Sequence, residues 1–139
     1  MSLVSLGIDI GSTTVKLVAV RAGEIVYKRY ERHFSKVREK ACEMLRDARQ
    51  AVGNETLKVA ITGSAGLGVA KASGIDFIQE VYATRKAVGT HVPKADVVIE
   101  LGGEDAKIVF LTGQLEERMN GSCAGGTGAF IDQMAVLLD

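Results

Sequence analysis

Two segments of the sequence match one another without gaps, and this internal repeat limits the possible folds more than any other feature. Residues 8–18 (IDIGSTTVKLV) align on residues 99–109 (IELGGEDAKIV) at a constant offset of 91 residues. Each copy is an aliphatic strand with one carboxylate, then a glycine turn, then a lysine that enters a second aliphatic strand. The repeat therefore predicts two similar β-hairpins, each within a related unit.

The remaining patterns place these hairpins in an α/β fold. Residues 4–10, 15–20 and 25–27 are typical of strands joined by tight turns, which predicts an antiparallel meander. Apolar residues then recur every three or four positions, so we expect a helix with Ser35 as its N-cap and Gly53 at its end. Further strands are predicted over 57–61, 97–101 and 106–111, and further helices near Val69 and over 79–91 and 130–138.

The residue types in each hairpin suit phosphate binding. A glycine turn lets backbone N–H groups approach an anion, and hydroxyls add donors for phosphate oxygens. A strand-end carboxylate can hold a hydrated magnesium ion, and a lysine supplies a positive charge. A single such hairpin is more often structural, whereas two copies facing one another would clamp a phosphate chain. In the first copy these residues are Asp9, Gly11, Ser12, Thr13, Thr14 and Lys16.

Composition excludes several classes of function. The chain has 139 residues and a formal net charge of zero, so we expect binding neither to nucleic acid nor to a membrane surface through bulk charge. No apolar run is long enough to span a bilayer, and no signal peptide is evident, so we expect a cytoplasmic protein. Cys42 and Cys123 are too few for a four-thiolate site within one copy. Cys42, His33 and His91 are interpreted as structural, with solvated or capping roles for the histidines.

Three motifs together resemble one protein family. Residues 7–16 (GIDIGSTTVK) and 99–107 (IELGGEDAK) resemble the first and second phosphate motifs of the actin, hexokinase and heat-shock-protein ATPase superfamily. Residues 119–135 (MNGSCAGGTGAFIDQMA) are similar to the cluster-binding segment of the 2-hydroxyacyl-CoA dehydratase activators, which are related to benzoyl-CoA reductase ATPase subunits. The resemblance implies a ribonuclease H-like, actin-like ATPase fold with a mixed sheet and helices.

The resemblance also implies roles for single residues. Asp9 and Glu100 would be catalytic, with magnesium on Asp9, although the superfamily usually has Asp at the position of Glu100. Cys123 would be the first of two cysteines that each subunit of a homodimer gives to one shared [4Fe-4S] cluster. Its position before a predicted helix suits an anionic cluster. Nucleotide phosphates would bind Gly11, Ser12, Thr13, Thr14, Lys16, Gly102, Gly103 and Glu104.

The implied activity is ATP-driven electron transfer. ATP hydrolysis would accompany transfer of a low-potential electron from the cluster to a 2-hydroxyacyl-CoA dehydratase or related acyl-CoA reductase component, with ferredoxin or flavodoxin as electron donor. We expect a first domain over 1–94 and the start of a second over 95–139, with the second cysteine and the adenosine site beyond residue 139 and the isolated fragment inactive. Two alternatives stay open: a small-molecule kinase, with Asp105 or Asp132 as base, and a nucleotide sensor without turnover.

Overall fold

The computed structural model describes residues 3–113, 116–120 and 125–138. The chain divides into two compact units, Met1–Gln79 and Glu80–Asp139. Each unit contains one of the two repeated hairpins.

A five-stranded mixed sheet forms the first unit, with strands in the order β3-β2-β1-β4-β5. The strands are β1 (Leu3–Ile10), β2 (Thr14–Arg21), β3 (Glu24–Arg32), β4 (Thr56–Thr62) and β5 (Asp76–Phe77). The first three form the predicted antiparallel meander, whereas β4 pairs in parallel with β1, and β5 with β4. The parallel neighbours β1 and β4 need a long connection, which here runs through β2 and β3. Helix α1 (Val37–Val52) lies in the connection between β3 and β4.

The core of this unit lies on one face of the sheet. Alternate residues of β1 are buried together with their neighbours on β2, and α1 contributes residues at three- and four-residue spacing. Full burial of one such aliphatic side chain stabilises the fold by about 1.5–3 kcal/mol. The cluster also includes Ala70 of α2 (Gly66–Ser73). Its buried members are Val4, Leu6, Ile8, Ile10, Val15, Leu17, Ala19, Ala41, Met44, Ala48, Val52, Ile61 and Ala70.

Helix α1 begins one residue later than the sequence suggested. The prediction of Ser35 as N-cap is wrong, because Lys36 occupies that position and makes no side-chain capping bond. Ser35 instead has a φ of 64° and lies in a turn before the helix. The end of the helix at Gly53 is confirmed, with the Gly53 N–H bonded to the Arg49 carbonyl at 2.9 Å.

The second unit contains a three-stranded antiparallel sheet in the order β6-β7-β8. Its elements are α3 (Glu80–His91), β6 (Val97–Leu101), β7 (Ala106–Phe110), β8 (Glu116–Met119) and α4 (Gly128–Leu138). Neither β5 nor β8 was expected from the sequence. Strand β5 has only two residues, and β8 (EERM) is exposed throughout and has no apolar alternation.

No helix within the described part of the chain is both long and apolar enough to cross a membrane.

Candidate functional site

The first turn (residues 11–14) joins β1 to β2 and brings Asp9 and Lys16 together. The two residues are register partners on neighbouring strands, and Lys16 Nζ lies 2.9 Å from Asp9 Oδ2. Both side chains are about one-third exposed. The Gly11 N–H donates to the Thr14 carbonyl at 2.9 Å and closes the turn. Two of the predicted site residues are therefore in direct contact beside the turn.

A row of four side chains crosses four strands at this level of the sheet. Asp9 is the register partner of Thr62 on β4 and of Lys16 on β2, and Lys16 is in turn the partner of Tyr30 on β3. Register partners point to the same face of a sheet, and this face is opposite to the buried core. Lys16 Nζ lies 5.3 Å from the centre of the Tyr30 ring, within the range of a cation–π contact. Lys16 thus has both an acidic and an aromatic neighbour.

Two oxygen atoms in this row have unmet hydrogen-bonding capacity. Among the described residues, Asp9 Oδ1 and Thr62 Oγ1 are buried and have no hydrogen-bond partner. Leaving such a group unsatisfied costs about 1–3 kcal/mol, and more when it is charged. A carboxylate and a hydroxyl oxygen on adjacent strands suit a hydrated magnesium ion, which binds oxygen ligands and keeps several waters. The donor set therefore fits the predicted magnesium site at Asp9.

Gly63 follows Thr62 and allows the end of β4 to approach Asp9 closely. Its φ is 99°, and a methyl group in place of its hydrogen would lie 2.5 Å from Asp9 Oδ1 and would also overlap the Ile10 carbonyl. Two residues on, the Ala65 N–H donates to the Ile10 carbonyl at 2.9 Å, just before α2 begins. The loop of residues 62–66 therefore lies directly beside Asp9.

The remaining predicted residues of the first turn differ in exposure. Ser12 and Thr13 are half-buried, whereas Thr14 is the first residue of β2 and is 7% exposed. A methyl group on Gly11 would lie 3.7 Å from Lys16 Nζ. Glycine at this position therefore keeps the space next to the lysine open.

The second turn (residues 102–105) repeats the geometry of the first. The Gly102 N–H donates to the Asp105 carbonyl at 2.8 Å, the same bond as in the first turn at the offset of 91 residues. Glu100 and Lys107 are register partners, as Asp9 and Lys16 are. The sequence repeat is thus a repeat of local structure. Of the other predicted residues here, Gly103 is half-buried and Glu104 is exposed.

Lys107 has different surroundings from its counterpart Lys16. It is only 5% exposed and donates a hydrogen bond to Glu80 Oε2 at 2.6 Å, while Asp105 Oδ2 lies 3.5 Å away. Burial by itself lowers the pKa of Lys107, but the hydrogen bond to Glu80 and the charges of Glu100, Glu80 and Asp105 raise it above the ordinary value overall. Glu80 is the first residue of α3, and no sequence motif marked it.

The start of α4 contacts the second turn. The Gly128 N–H donates to the Gly102 carbonyl at 2.7 Å, and Thr127 is fully buried immediately before the helix. Asp105, the suggested kinase base, faces its own turn, since a methyl group on Gly102 would lie 2.5 Å from Asp105 Oδ1. The predicted cluster ligand Cys123 lies outside the described residues. Cys42 is an exposed free cysteine on α1.

His33 contacts the first turn, a role that no sequence motif indicated. Of the two roles expected for His33, the solvated one is wrong, because His33 is 6% exposed and its ring lies against the Gly11 carbonyl. No spacing pattern links the two residues, which come together only when β3 pairs with β2. His91, in contrast, is exposed in the last turn of α3.

Comparison with known proteins gives consistent matches over the whole chain. The BadF/BadG/BcrA/BcrD ATPase family matches residues 6–139. The (R)-2-hydroxyglutaryl-CoA dehydratase activating ATPase of Acidaminococcus fermentans is 33% identical over 147 residues, which cover 100% of this chain and 55% of the relative. The chain therefore spans about half the length of the curated relatives it matches.

Two solved structures share the fold. The structure of component A of the A. fermentans (R)-2-hydroxyglutaryl-CoA dehydratase superposes with a TM-score of 0.84 at 26% identity, covering 99% of this chain and 54% of that one. The activator of the 2-hydroxyisocaproyl-CoA dehydratase from Clostridium difficile, with bound ADPNP, gives 0.76 at 27% identity, covering 99% and 52%. The predicted mixed α/β fold of the actin-like ATPase type is confirmed.

Proposed function

The chain belongs to the BadF/BadG/BcrA/BcrD ATPase family, and from this we propose that its first turn binds the phosphates of magnesium ATP and that the whole protein hydrolyses ATP. One observation carries the proposal. Asp9 and Thr62 present two buried oxygens without partners directly beside Lys16 and a glycine turn. Support also comes from the C. difficile relative, which was solved with bound ADPNP.

Each group around the first turn has a defined task in this proposal. Asp9 holds magnesium and orients the attacking water, and the backbone of residues 11–14 binds phosphate oxygens together with the hydroxyls of Ser12 and Thr13. Lys16 donates to phosphate and stabilises the negative charge of the transferring group, which is the main requirement of phosphoryl transfer. We assign Gly102, Gly103 and Glu104 to phosphate binding at the second turn, with Glu100 as its acidic residue.

We further infer that the whole protein is an ATP-dependent activator of a 2-hydroxyacyl-CoA dehydratase or a related acyl-CoA reductase component. The names of the A. fermentans and C. difficile relatives support this assignment. In this inference Cys123 is one of the ligands of a [4Fe-4S] cluster shared by a homodimer, and ferredoxin or flavodoxin is the electron donor. The cluster supplies the low-potential electron that the partner enzyme receives.

Nucleotide binding tests the first part of the proposal. Titration of the chain with fluorescent ADP and ATP in the presence of magnesium should show saturable binding that Asp9→Asn and Lys16→Ala each weaken by about tenfold or more, since each removes a charged contact worth at least about 1.5 kcal/mol. Lys86→Ala, an exposed lysine on α3, is the matched control and should leave the affinity unchanged. Equal affinity in all three variants would remove the first turn from the site.

Iron analysis tests the second part. The whole protein, prepared without oxygen, should contain about four irons per dimer, and Cys123→Ala should lose them. ATP turnover without iron would favour the kinase alternative. Nucleotide binding without iron or turnover would favour the sensor.

A further inference from the structure

His33 uses both ring nitrogens in hydrogen bonds at the edge of the first turn. Its Nδ1 lies 3.1 Å from the backbone nitrogen of Ser35, and its Nε2 lies 3.2 Å from the carbonyl oxygen of Gly11. A backbone N–H can only donate, so Nδ1 must carry the lone pair. The ring proton therefore lies on Nε2 and is donated to Gly11. The two contacts together define one neutral tautomer.

The backbone around His33 is shaped to hold the ring in this position. Phe34 and Ser35 have φ values of 45° and 64°, and the Lys36 N–H donates to the His33 carbonyl at 2.7 Å. Two positive φ angles and this bond make a tight turn of the type usually built from glycine or asparagine. Neither residue is of that kind, so the turn is strained. Strain of this kind persists where the surrounding structure enforces it, often next to functional sites.

His33 holds the first turn at two carbonyls. Besides the ring contact to Gly11, the His33 backbone N–H donates to the Thr13 carbonyl at 3.1 Å. The described residues contain no cis peptide bond, and in a trans peptide the C=O and the following N–H point in opposite directions. Carbonyls of Gly11 and Thr13 that point toward His33 therefore turn the N–H groups of Ser12 and Thr14 away from it.

The second turn holds the equivalent carbonyl by another donor. Gly102 corresponds to Gly11 in the repeat, and its carbonyl accepts the N–H of Gly128 at 2.7 Å. The same atom is thus fixed in both copies, once by an imidazole ring and once by the main chain at the start of α4. This recurrence indicates that the orientation of the glycine peptide matters in both turns.

We propose that His33 is a positioning residue that orients the Ser12 and Thr14 N–H groups of the first turn for phosphate binding. This inference rests on the proposed nucleotide site. The ring acts through the backbone and does not itself touch the ligand. Its neutral Nε2–H tautomer is the form that makes both contacts.

Two substitutions separate the contacts of the ring. His33→Gln can place an N–H donor near the Gly11 carbonyl, in the position of Nε2, whereas His33→Asn retains an oxygen near the Ser35 N–H but has no donor that reaches Gly11. We expect His33→Asn to raise the Kd for magnesium ADP by about three- to tenfold, the range for one neutral hydrogen bond. His33→Gln should stay within about twofold of the parent chain. His91→Asn, at the exposed histidine of α3, is the matched control.

A second measurement distinguishes failure of the positioning role of His33 from failure of the proposed nucleotide site. NMR relaxation of the nucleotide-free chain should show amide order parameters of residues 12–14 that fall from about 0.85 toward 0.6 in His33→Asn and not in His33→Gln. High order parameters of residues 12–14 in the parent chain and in His33→Gln, without any nucleotide binding, would overturn the proposed nucleotide site. The effect of His33 on the rigidity of the first turn would then still stand. Unchanged affinity for magnesium ADP together with unchanged order parameters in His33→Asn would overturn the positioning role of His33. A drop of both variants to equal affinity would show that the ring acts only by filling space.

Discussion

Thr62 has a buried hydroxyl whose partner, in our proposal, arrives only with the metal and its waters. Thr62→Val keeps the β-branched shape and removes this hydroxyl. We expect the free energy of unfolding of the nucleotide-free chain to rise by about 1 kcal/mol, because an unsatisfied buried group is lost. The affinity for ATP in magnesium should fall severalfold. Urea denaturation and nucleotide titration measure the two effects, and lower stability with unchanged affinity would contradict this role.

Lys107 should contribute to the stability of the fold, whereas Lys16 is assigned to phosphate binding. Lys107→Met retains the aliphatic stem but leaves Glu80, 26% exposed, without its partner. We expect a loss of about 1–3 kcal/mol of unfolding free energy, less than for a fully buried pair. A double-mutant cycle with Glu80→Gln measures the coupling.

The ion pair of Lys107 should also make the free energy of unfolding depend on pH in the alkaline range. The pKa of Lys107 is raised in the folded state. Its contribution to the free energy of unfolding is therefore fully present below the pKa of the unfolded chain, about 10.5. The contribution is lost as the pH rises through the folded pKa. The difference in stability between the parent chain and Lys107→Met should therefore shrink above that pH. A constant difference would mean that packing, and not charge, is responsible.

At the scale of elements, β3 and α1 are joined by a network of five charged residues. Arg29 pairs with Glu31, Glu43 and Asp47, and Lys40 pairs with both Glu31 and Glu43 at 2.8 Å. The hydrogen bonds from Lys40, and then those from Arg29, lower the pKa of each glutamate below its ordinary value. The stabilisation is therefore present above about pH 4.5, the ordinary value, and is lost as the pH falls through the lowered pKa values.

Substitution of Lys40 should weaken the dependence of stability on pH in the acidic range. We expect the midpoint of thermal unfolding to fall less steeply between neutral pH and pH 3 in Lys40→Gln than in the parent chain. Lys86→Gln on α3 serves as the control and should follow the parent. A parallel fall in all three proteins would show that the network contributes no pH dependence.

The elements that sequence could predict are those governed by neighbours along the chain. The Gly11–Thr14 and Gly102–Asp105 turns each close over four residues, so the repeat in sequence carries their geometry. The Glu80–Lys107 pair joins residues 27 positions apart, and the His33–Gly11 contact spans 22. Such contacts depend on the strand register and on where a helix begins, and no local sequence pattern predicts them. Ser35 illustrates the same limit, because its backbone N–H bonds to the His33 ring and its φ of 64° places it in the turn before α1.

At the scale of the whole molecule, the second sheet has an exposed apolar face. Ile99 and Ile108 are register partners, 67% and 38% exposed, and Val97 and Leu101 extend the patch along β6. Contiguous exposed apolar patches of this kind usually mark interaction surfaces. We expect the chain to enhance the fluorescence of the dye ANS at neutral pH.

Substitution within the patch tests this expectation. Ile99→Thr with Ile108→Thr should lower the dye signal, whereas Ile25→Thr, at a residue 58% exposed in the other unit, should leave most of it. An unchanged signal in the double variant would place the dye elsewhere.

The ion pair between Asp9 and Lys16 has a consequence for the order of events at the site. In the structure the lysine neutralises the carboxylate at 2.9 Å, so the protein supplies its own counter-ion. A divalent cation arriving at Asp9 would repel Lys16 and release it toward the phosphates, while a phosphate that attracts Lys16 would uncover Asp9 for the cation. Metal and nucleotide would then bind with positive cooperativity, and by linkage each should raise the affinity of the other by the same factor.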